Sequence, residues 1–367
     1  MENSISKYFT KVQDPRSKRN QRHSFMSIVG TSLLSMLSGI ESFSGMQDFA
    51  EAHYEELEKH FKMEYGFPSH DTYRRFWNNI NPNEFLNSFH LFTESLCSVQ
   101  SNLISIDGKT IRNSGKKNPL HIVSAWCREN KLVLAQEKVS DKSNEITAIP
   151  KLLELLDIEN TIITIDAMGA QRQICQKIID QGGDYVICLK KNQGTLYKDV
   201  KLYLEDVENH QLINEDNDKG HGRIEQRIAI SNDDIEWLCK SHKWPGLKSV
   251  GMVNSIITKI KTNKTTYDQR FYISSLKANA RKLNDIVRSH WGIENQLHWR
   301  LDVVFNEDKA CVSNDNAAEN LGILRKWALN MLHKVKEKPS QSIKSVMRKN
   351  SMSLQYLFDN VNKIFHA

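Results

Sequence analysis

LISIDGKTIR, residues 103–112, is where the chain changes character. Apolar and polar residues alternate along it, which is the period of a strand. Residues 1–100 read as helices. FMSIVGTSLLSMLSG (25–39) suits a buried helix stopped by Gly39. SGMQDFAEAHYEELEKHF (44–61) spaces its apolar residues with acids between them. FPSHDTYRRFWNNINP (67–82) is a helix that Ser69 or Asp71 can cap and Asn81-Pro82 ends. After residue 103 the pattern is strand-like: HIVSAWC (121–127) and LVLAQEKV (132–139) follow across a short turn and predict a meander. A helix, NEITAIPKLLELL (144–156), then alternates with the strand TIITIDA (161–167), the helix QRQICQKIIDQGG (171–183) and the strand DYVICLK (184–190). Strand-helix alternation implies parallel neighbours, and three strands, helix, strand, helix, strand is the order of the RNase H-like fold. RIEQRIAI (223–230), SVGMVNSIITKI (249–260) and TYDQRFYISS (266–275) predict a β-rich insertion, with NEDNDKGHG (214–222) as a turn. From Ala280 the pattern is helical again, with a polar, basic, loosely defined end.

Composition narrows the function classes. Hydrophobic residues make up 39% of the 367, enough for a core and too many for a disordered chain. No apolar run approaches the roughly 20 residues that span a bilayer, and the start lacks a signal-peptide pattern, so the expectation is a cytoplasmic protein. The six cysteines show no metal or redox spacing and read as buried free thiols. The net charge of +6 is unevenly spread: residues 1–25 carry +4, residues 323–367 carry +7, and the middle −5. Basic ends around an acidic centre suit a protein that grips phosphates and holds metals inside, although charge runs often only solvate a surface.

The acids at the centre have a pattern. Asp107 closes the apolar run LISID and Asp166 closes IITID; functional groups of open α/β sheets gather at such carboxyl ends. In SHWGIENQLHWR (289–300), counting about 100° per residue from Leu283 puts Glu294 amid the apolar stripe of Ile286, Val287, Leu297 and Leu301. A carboxylate there is either paired, with Arg288 or Arg300, or faces a metal whose charge compensates it. Three carboxylates suit Mg²⁺, an oxygen-seeking cation. Zinc fits less well, since His290 and His298 stand eight apart. No phosphate-binding G-x-x-x-x-G-K-[ST] loop and no G-x-S-x-G elbow occurs.

IDGKTIR, TIDAMGAQ, GGDYVICLKKNQ, HGRIEQR, SHWGIENQLHWRLDVVFNED and AAENLGILRKWALNML, together with the opening DPRSKRNQRH, resemble the H-repeat-associated insertion-sequence transposases of the DDE, RNase H-like class, over roughly residues 10–335. The resemblance implies that Asp107, Asp166 and Glu294 are both the catalytic triad and the metal ligands. It implies two Mg²⁺ ions roughly 4 Å apart, with Mn²⁺ able to substitute. Related cut-and-paste transposases also carry a Tyr, an Arg and a Lys around the catalytic Glu. Here Val287, His290 and Leu301 occupy those positions, which leaves phosphate contact to His290, Arg288 and Arg300. Lys109, Arg112, Lys190, Lys191, Asn192 and Arg223, the last in the turn His221-Gly222-Arg223, are further candidates for DNA contact, as are Arg74 and Arg75 on an N-terminal helix. Trp237 and Trp244 read as core residues more readily than as base-stacking ones.

The expected architecture is α/β. A helical DNA-binding or associated domain (1–100) precedes an RNase H-like core (101–200 and 280–335), which a β-rich insertion (201–279) interrupts and a basic tail (336–367) follows. The expected function is a DNA transposase: metal-dependent cleavage at transposon ends and strand transfer to target DNA, by a homodimer assembled on double-stranded DNA. No membrane or small-molecule substrate is expected. The alternative is a DDE nuclease that cuts without rejoining, and an assay for strand joining separates the two.

Overall fold

The structure is a computed structural model that describes all residues except 1, 18, 20, 98–100, 115–118, 141–143, 221, 311, 313–314 and 366–367. Lys18, His221 and Cys311 thus lie outside the described residues. The amino-terminal part forms α1 (Glu2–Ser6), α2 (Phe25–Leu37), α3 (Phe43–Ala52), α4 (Tyr54–Glu58), α5 (His70–Asn79) and α6 (Pro82–Leu96). Local chemistry sets these limits. Ser69 caps α5 by accepting from Thr72 N–H, and Asn81 caps α6 with Pro82 in its first turn. Gly39 follows α2 at φ +84, a conformation that suits glycine.

The strands β1 (Leu103–Ile111), β2 (Leu120–Cys127), β3 (Leu132–Lys138), β4 (Ile162–Ile165), β5 (Asp184–Leu189), β6 (Leu212–Gly220), β7 (Arg223–Asn232), β8 (Ser249–Lys259) and β9 (Lys264–Ser274) form a single sheet. Its order is β3-β2-β1-β4-β5-β9-β8-β7-β6. Only β1–β4 and β4–β5 are parallel; the other pairings are antiparallel. The β-rich segment is therefore no separate module, because β9 pairs directly with β5 and extends the sheet. Residues 214–220, expected as a turn, belong to β6, which pairs with β7 along its whole length. Its acidic residues are tolerable because an edge strand is largely solvated, and charge there blocks pairing with another chain.

Period-two alternation sorts the sheet's side chains into two cores. Ile163, Ile165, Tyr185, Ile187, Phe271 and Ile273 pack with α7 (Glu145–Glu154), α8 (Arg172–Asp180), α9 (Gly194–Glu205) and α10 (Glu236–His242). Val186, Cys188, Val253 and Tyr272 point the other way, against Leu283, Ile286 and Val287 of α11 (Ala280–Ile293). The chain continues through a π-helical turn (Glu294–His298) into α12 (Trp299–Val303), then α13 (Asp315–Lys334), α14 (Ile343–Met352) and α15 (Leu354–Phe365).

The third core joins both ends of the chain. Trp327 of α13 stacks on Phe9 and Phe92 at 4.9 and 4.7 Å between ring centroids. Residues 336–365, the described part of the expected 336–367 tail, depart from that expectation: Ile343, Val346, Met347, Leu357, Phe358 and Val361 are buried in this same core. Asn350 also donates to Leu37 O at 2.8 Å. The apolar positions of α14 and α15 find a partner surface only when α2 and α13 are in place. Among the described residues no helix is long and apolar enough to cross a membrane.

Candidate active site

Asp107 and Asp166 are brought side by side by the parallel pairing of β1 with β4. The last paired residues are Ile106 and Ile165, so the two aspartates are the next residues on neighbouring strands, which run about 4.8 Å apart. Asp107 does not end its strand, as the sequence suggests; β1 continues against β2, with Asp107 opposite Ser124. The strand that ends there is β4. Asp107 Oδ1 accepts from Gly108 N–H at 2.9 Å. Asp166 Oδ1 accepts from Met168 N–H at 2.9 Å and caps a short 3₁₀ turn (Ala167–Gly169), so it has a structural role as well.

Burial pushes the Asp107 carboxyl up to about 7, helped by the charges of Asp166, Glu294 and Glu145 against the opposing Gly108 N–H. Burial raises Asp166 too, with Glu145 adding to it and Lys190 opposing it. Asp107, Asp166, Glu294 and Glu145 thus share one electrostatic neighbourhood at the edge of the parallel strands. Glu294 differs from its expected place. It is exposed, while Ile293, Leu297 and Leu301 take the buried positions. The uninterrupted helical count does not hold to this point: regular α-helix ends at Ile293, and Glu294 stands at the start of a π-helical turn, exposed rather than in the apolar stripe. Neither Arg288 nor Arg300 pairs with it: Arg288 contacts Asp216 and Asp218, and Arg300 contacts His333.

Asp107, Asp166 and Glu294 offer carboxylate oxygens, which fit a hard divalent cation in kind, although the His298 imidazole stands 3.5 Å from Asp107 Oδ2. The repulsion that adds to burial in raising Asp107 is the kind of strain a cation would relieve. The side chains are not gathered, however: no group of three His, Cys, Asp or Glu among the described residues comes close enough to hold a metal ion.

Several expected DNA contacts are engaged inside the protein. Lys109 is 12% exposed and bonds Asp302 at 2.5 Å and Glu307 at 2.6 Å, because the strand alternation turns it toward α12. His290 packs over β4 with Nδ1 3.4 Å from Thr164 Oγ1, and burial lowers its imidazole to about 4. Arg300 points at His333 on α13. Arg288 is held by the two aspartates of β6. Lys190, Lys191, Asn192, Arg112, Arg74, Arg75 and Arg223 are exposed or partly exposed. Of these, Lys190 acts on Asp166, and Asn192 Nδ2 ties the loop after β5 to Ala167 O at 2.6 Å. Arg74 is paired with Asp71 at 2.7 Å, and Arg223 with Glu225 at 3.7 Å. Trp244 is buried; Trp237, which the sequence reads as a core residue, is exposed instead and lies edge-on to Tyr203.

Three site neighbours escape the sequence reading. Glu145 opens α7, where an acid ordinarily signals only a helix start. It pairs with His121 Nε2 at 2.7 Å directly over Gly108, where a Cβ would stand 2.1 Å from Glu145 Oε1. His298 Nδ1 lies 3.5 Å from Asp107 Oδ2, and burial with Lys109 and Lys326 nearby holds it down to about 3, so it is neutral near pH 7. Only the fold brings these residues to Asp107.

Residues 99–331 match the family described as Transposase DDE domain, and residues 6–93 match the DDE_Tnp_1-associated family. Among curated proteins, the chain is 36% identical to the "H repeat-associated putative transposase YhhI" of Escherichia coli K12 over 96% of both chains. It is 37% identical to "Putative protein YbfL" of the same strain, again over 96% of both. A solved structure, a piggyBac transposase synaptic complex with hairpin DNA, aligns over 98% of this chain and 80% of that one. At 12% identity and a TM-score of 0.42, that likeness is too loose to bear on fold or function. The DDE domain match covers well over half of the chain, and with full-length relatives above 30% identity this protein belongs to the DDE transposase family.

Proposed function

We propose that this transposase cuts DNA at the ends of an insertion sequence and joins the freed 3′ ends to target DNA, using Asp107, Asp166 and Glu294. The observation that carries this reading is the level placement of Asp107 and Asp166 where β4 ends, with Glu294 acting electrostatically on Asp107. The order β3-β2-β1-β4-β5, antiparallel then parallel, supports an RNase H-like core. Residues 101–200 and 280–335 would form that core, with 201–279 as its extension. Residues 1–100 would serve DNA binding, aided by the exposed Arg74 and Arg75 of α5.

Asp107, Asp166 and Glu294 would hold the divalent cations, two Mg²⁺ or Mn²⁺ in their place, which supply charge neutralisation and an activated water when bound. The protein's own contribution is placement. Gly108 N–H holds one carboxylate oxygen of Asp107, and the N–H groups of Met168 and Gly169 orient the carboxylate of Asp166. Lys190 brings a cation beside Asp166 for the phosphate's negative charge. In the cut, a water oxygen bonds phosphorus as the P–O3′ bond breaks, which frees a 3′-OH. In joining, that hydroxyl oxygen bonds a target phosphorus as the target's P–O3′ bond breaks. No covalent enzyme intermediate is required.

The test is incubation of the protein with Mg²⁺ and labelled DNA carrying the ends that flank its gene. Asp107→Ala, Asp166→Ala and Glu294→Ala are each expected to lower cleavage at least a thousandfold, roughly the scale of losing a group central to transition-state stabilisation, with DNA binding retained. Near wild-type cleavage by any one of them removes that residue from the triad.

A further inference from the structure

Arg288 stands six residues before Glu294 on α11, and its guanidinium does not face open solvent alone. Nη1 meets Asp216 Oδ2 at 3.0 Å and Nη2 meets Asp218, both on β6. The contact closes one side of a groove of about 240 Å³ between α11 and the β7–β9 part of the sheet. Arg223, Arg227, Arg270 and Arg288 line it, and it runs to Asn295 in the turn that carries Glu294. Each arginine is answered by an acid of this chain. Glu225 takes Arg227 at 2.8 Å and Arg223 at 3.7 Å, and Asp268 takes Arg270 at 2.7 Å. Arg227 Nη1 is nevertheless buried without a hydrogen-bond partner. Trp291 is 40% exposed beside the groove, with the Arg270 guanidinium 5.1 Å from its ring centroid.

We propose that this groove binds the phosphodiester backbone of a DNA strand leading to Glu294, and that Asp216 and Asp218 hold it shut by occupying Arg288 in place of phosphate. The proposal rests on the DNA-joining function above. Three features support it. Asp216 and Asp218 are two apart on one strand, so they present two carboxylates on one face about 6.8 Å from each other, a short anionic ladder aimed at the helix. Arg288 and both acids are between 44 and 48% exposed, where an ion pair contributes little to stability and exchanges readily for the bidentate grip of a guanidinium on phosphate. And β6 is the outermost strand, laddered to β7 and otherwise tied to α11 by the single side-chain bond from Asn284 Nδ2 to Asn214 Oδ1 at 3.0 Å, so it can yield without breaking a second ladder. Charge that merely protects an edge from pairing would have no reason to close on Arg288.

The test uses the full chain and a labelled single-stranded oligonucleotide, with affinity read by fluorescence anisotropy across a salt series and melting temperature as the check on folding. The variant Asp216→Asn/Asp218→Asn is expected to bind several-fold tighter than wild type, with a salt slope steeper by about one. A control of equal charge change, Glu55→Gln/Glu56→Gln on α4, should gain much less. Adding Arg288→Gln to the first variant should cancel its gain. An equal gain in the control, or a gain that survives Arg288→Gln, overturns the proposal. If wild type binds neither this strand nor duplex end DNA, the joining function falls as well, which distinguishes that failure from failure of the groove alone.

Discussion

His90 shows how a single buried side chain sets a pH response. It lies on α6 with Nε2 buried and unpartnered, and burial lowers its imidazole to about 4 from an ordinary 6.5. Because the folded value is depressed, neutral His90 contributes its full stability above about pH 6.5 and loses it as pH falls through 4. Glu41 runs the other way. Burial raises it to about 7 despite Arg325, so it favours the folded state at low pH. The comparison of wild type with His90→Phe therefore isolates the histidine. The melting temperature of the variant should fall less between pH 7 and 4.5, and parallel curves would refute the assignment. The same logic explains why Lys109 is poorly suited to DNA: Asp302 and Glu307 already hold its ammonium, and removing it from them would leave Glu307, 1% exposed in its side chain, short of a partner.

At the scale of elements, the turn at Glu294–His298 and the helices α14 and α15 depend on their surroundings. The π-helical turn lets α11 lay Leu283, Ile286 and Val287 on the sheet while Leu297 and Leu301 enter the helical core, two surfaces that one regular helix would not address together. Deleting 336–367 would strip six apolar side chains from that core, each worth roughly 1.5–3 kcal/mol when fully buried. Truncation should therefore lower the melting temperature by roughly ten degrees or more, on the order expected for several kcal/mol in a chain this long, or prevent folding. The cleaner probe of DNA contact is Lys344→Gln/Arg348→Gln, two exposed residues of α14. It should leave melting unchanged and flatten the salt dependence of binding by up to about two. An unaltered slope would make the basic face of α14 merely solvating.

Across the whole molecule, the two basic ends of the chain meet. Tyr8 packs against Phe365 at 5.9 Å and against Trp327 at 6.4 Å, so α1 and residues 323–365 belong to one helical layer rather than to separate arms. Cutting two ends and joining them to one target needs two active sites held together, and a symmetric pair is the cheapest way to supply them. We expect a monomer or weak dimer in solution and a dimer on paired ends. Light scattering of the DNA complex tests this: a complex of one protein with one end that still joins strands would overturn it.

The sequence by itself determined the alternation of strands and helices from residue 103, the place of Asp166 at the end of its strand, and the resemblance that singles out Asp107 and Glu294. These are local properties, periodicity and residue type, and they survive without knowing any neighbour. Tertiary structure decided the rest. A regular helical count put Glu294 in the apolar stripe, but it is exposed where α11 gives way to the π-helical turn. An acidic stretch that reads as a turn, 214–222, is largely an edge strand because β7 offers it a full ladder. The basic end became two packed helices because residues some three hundred positions earlier form their binding surface. Lys109, His290, Arg288 and Arg300 carry the same charges or rings wherever they lie. Whether each meets DNA or an internal partner depends on distances between segments far apart in the chain, and residue type and local spacing carry no record of them.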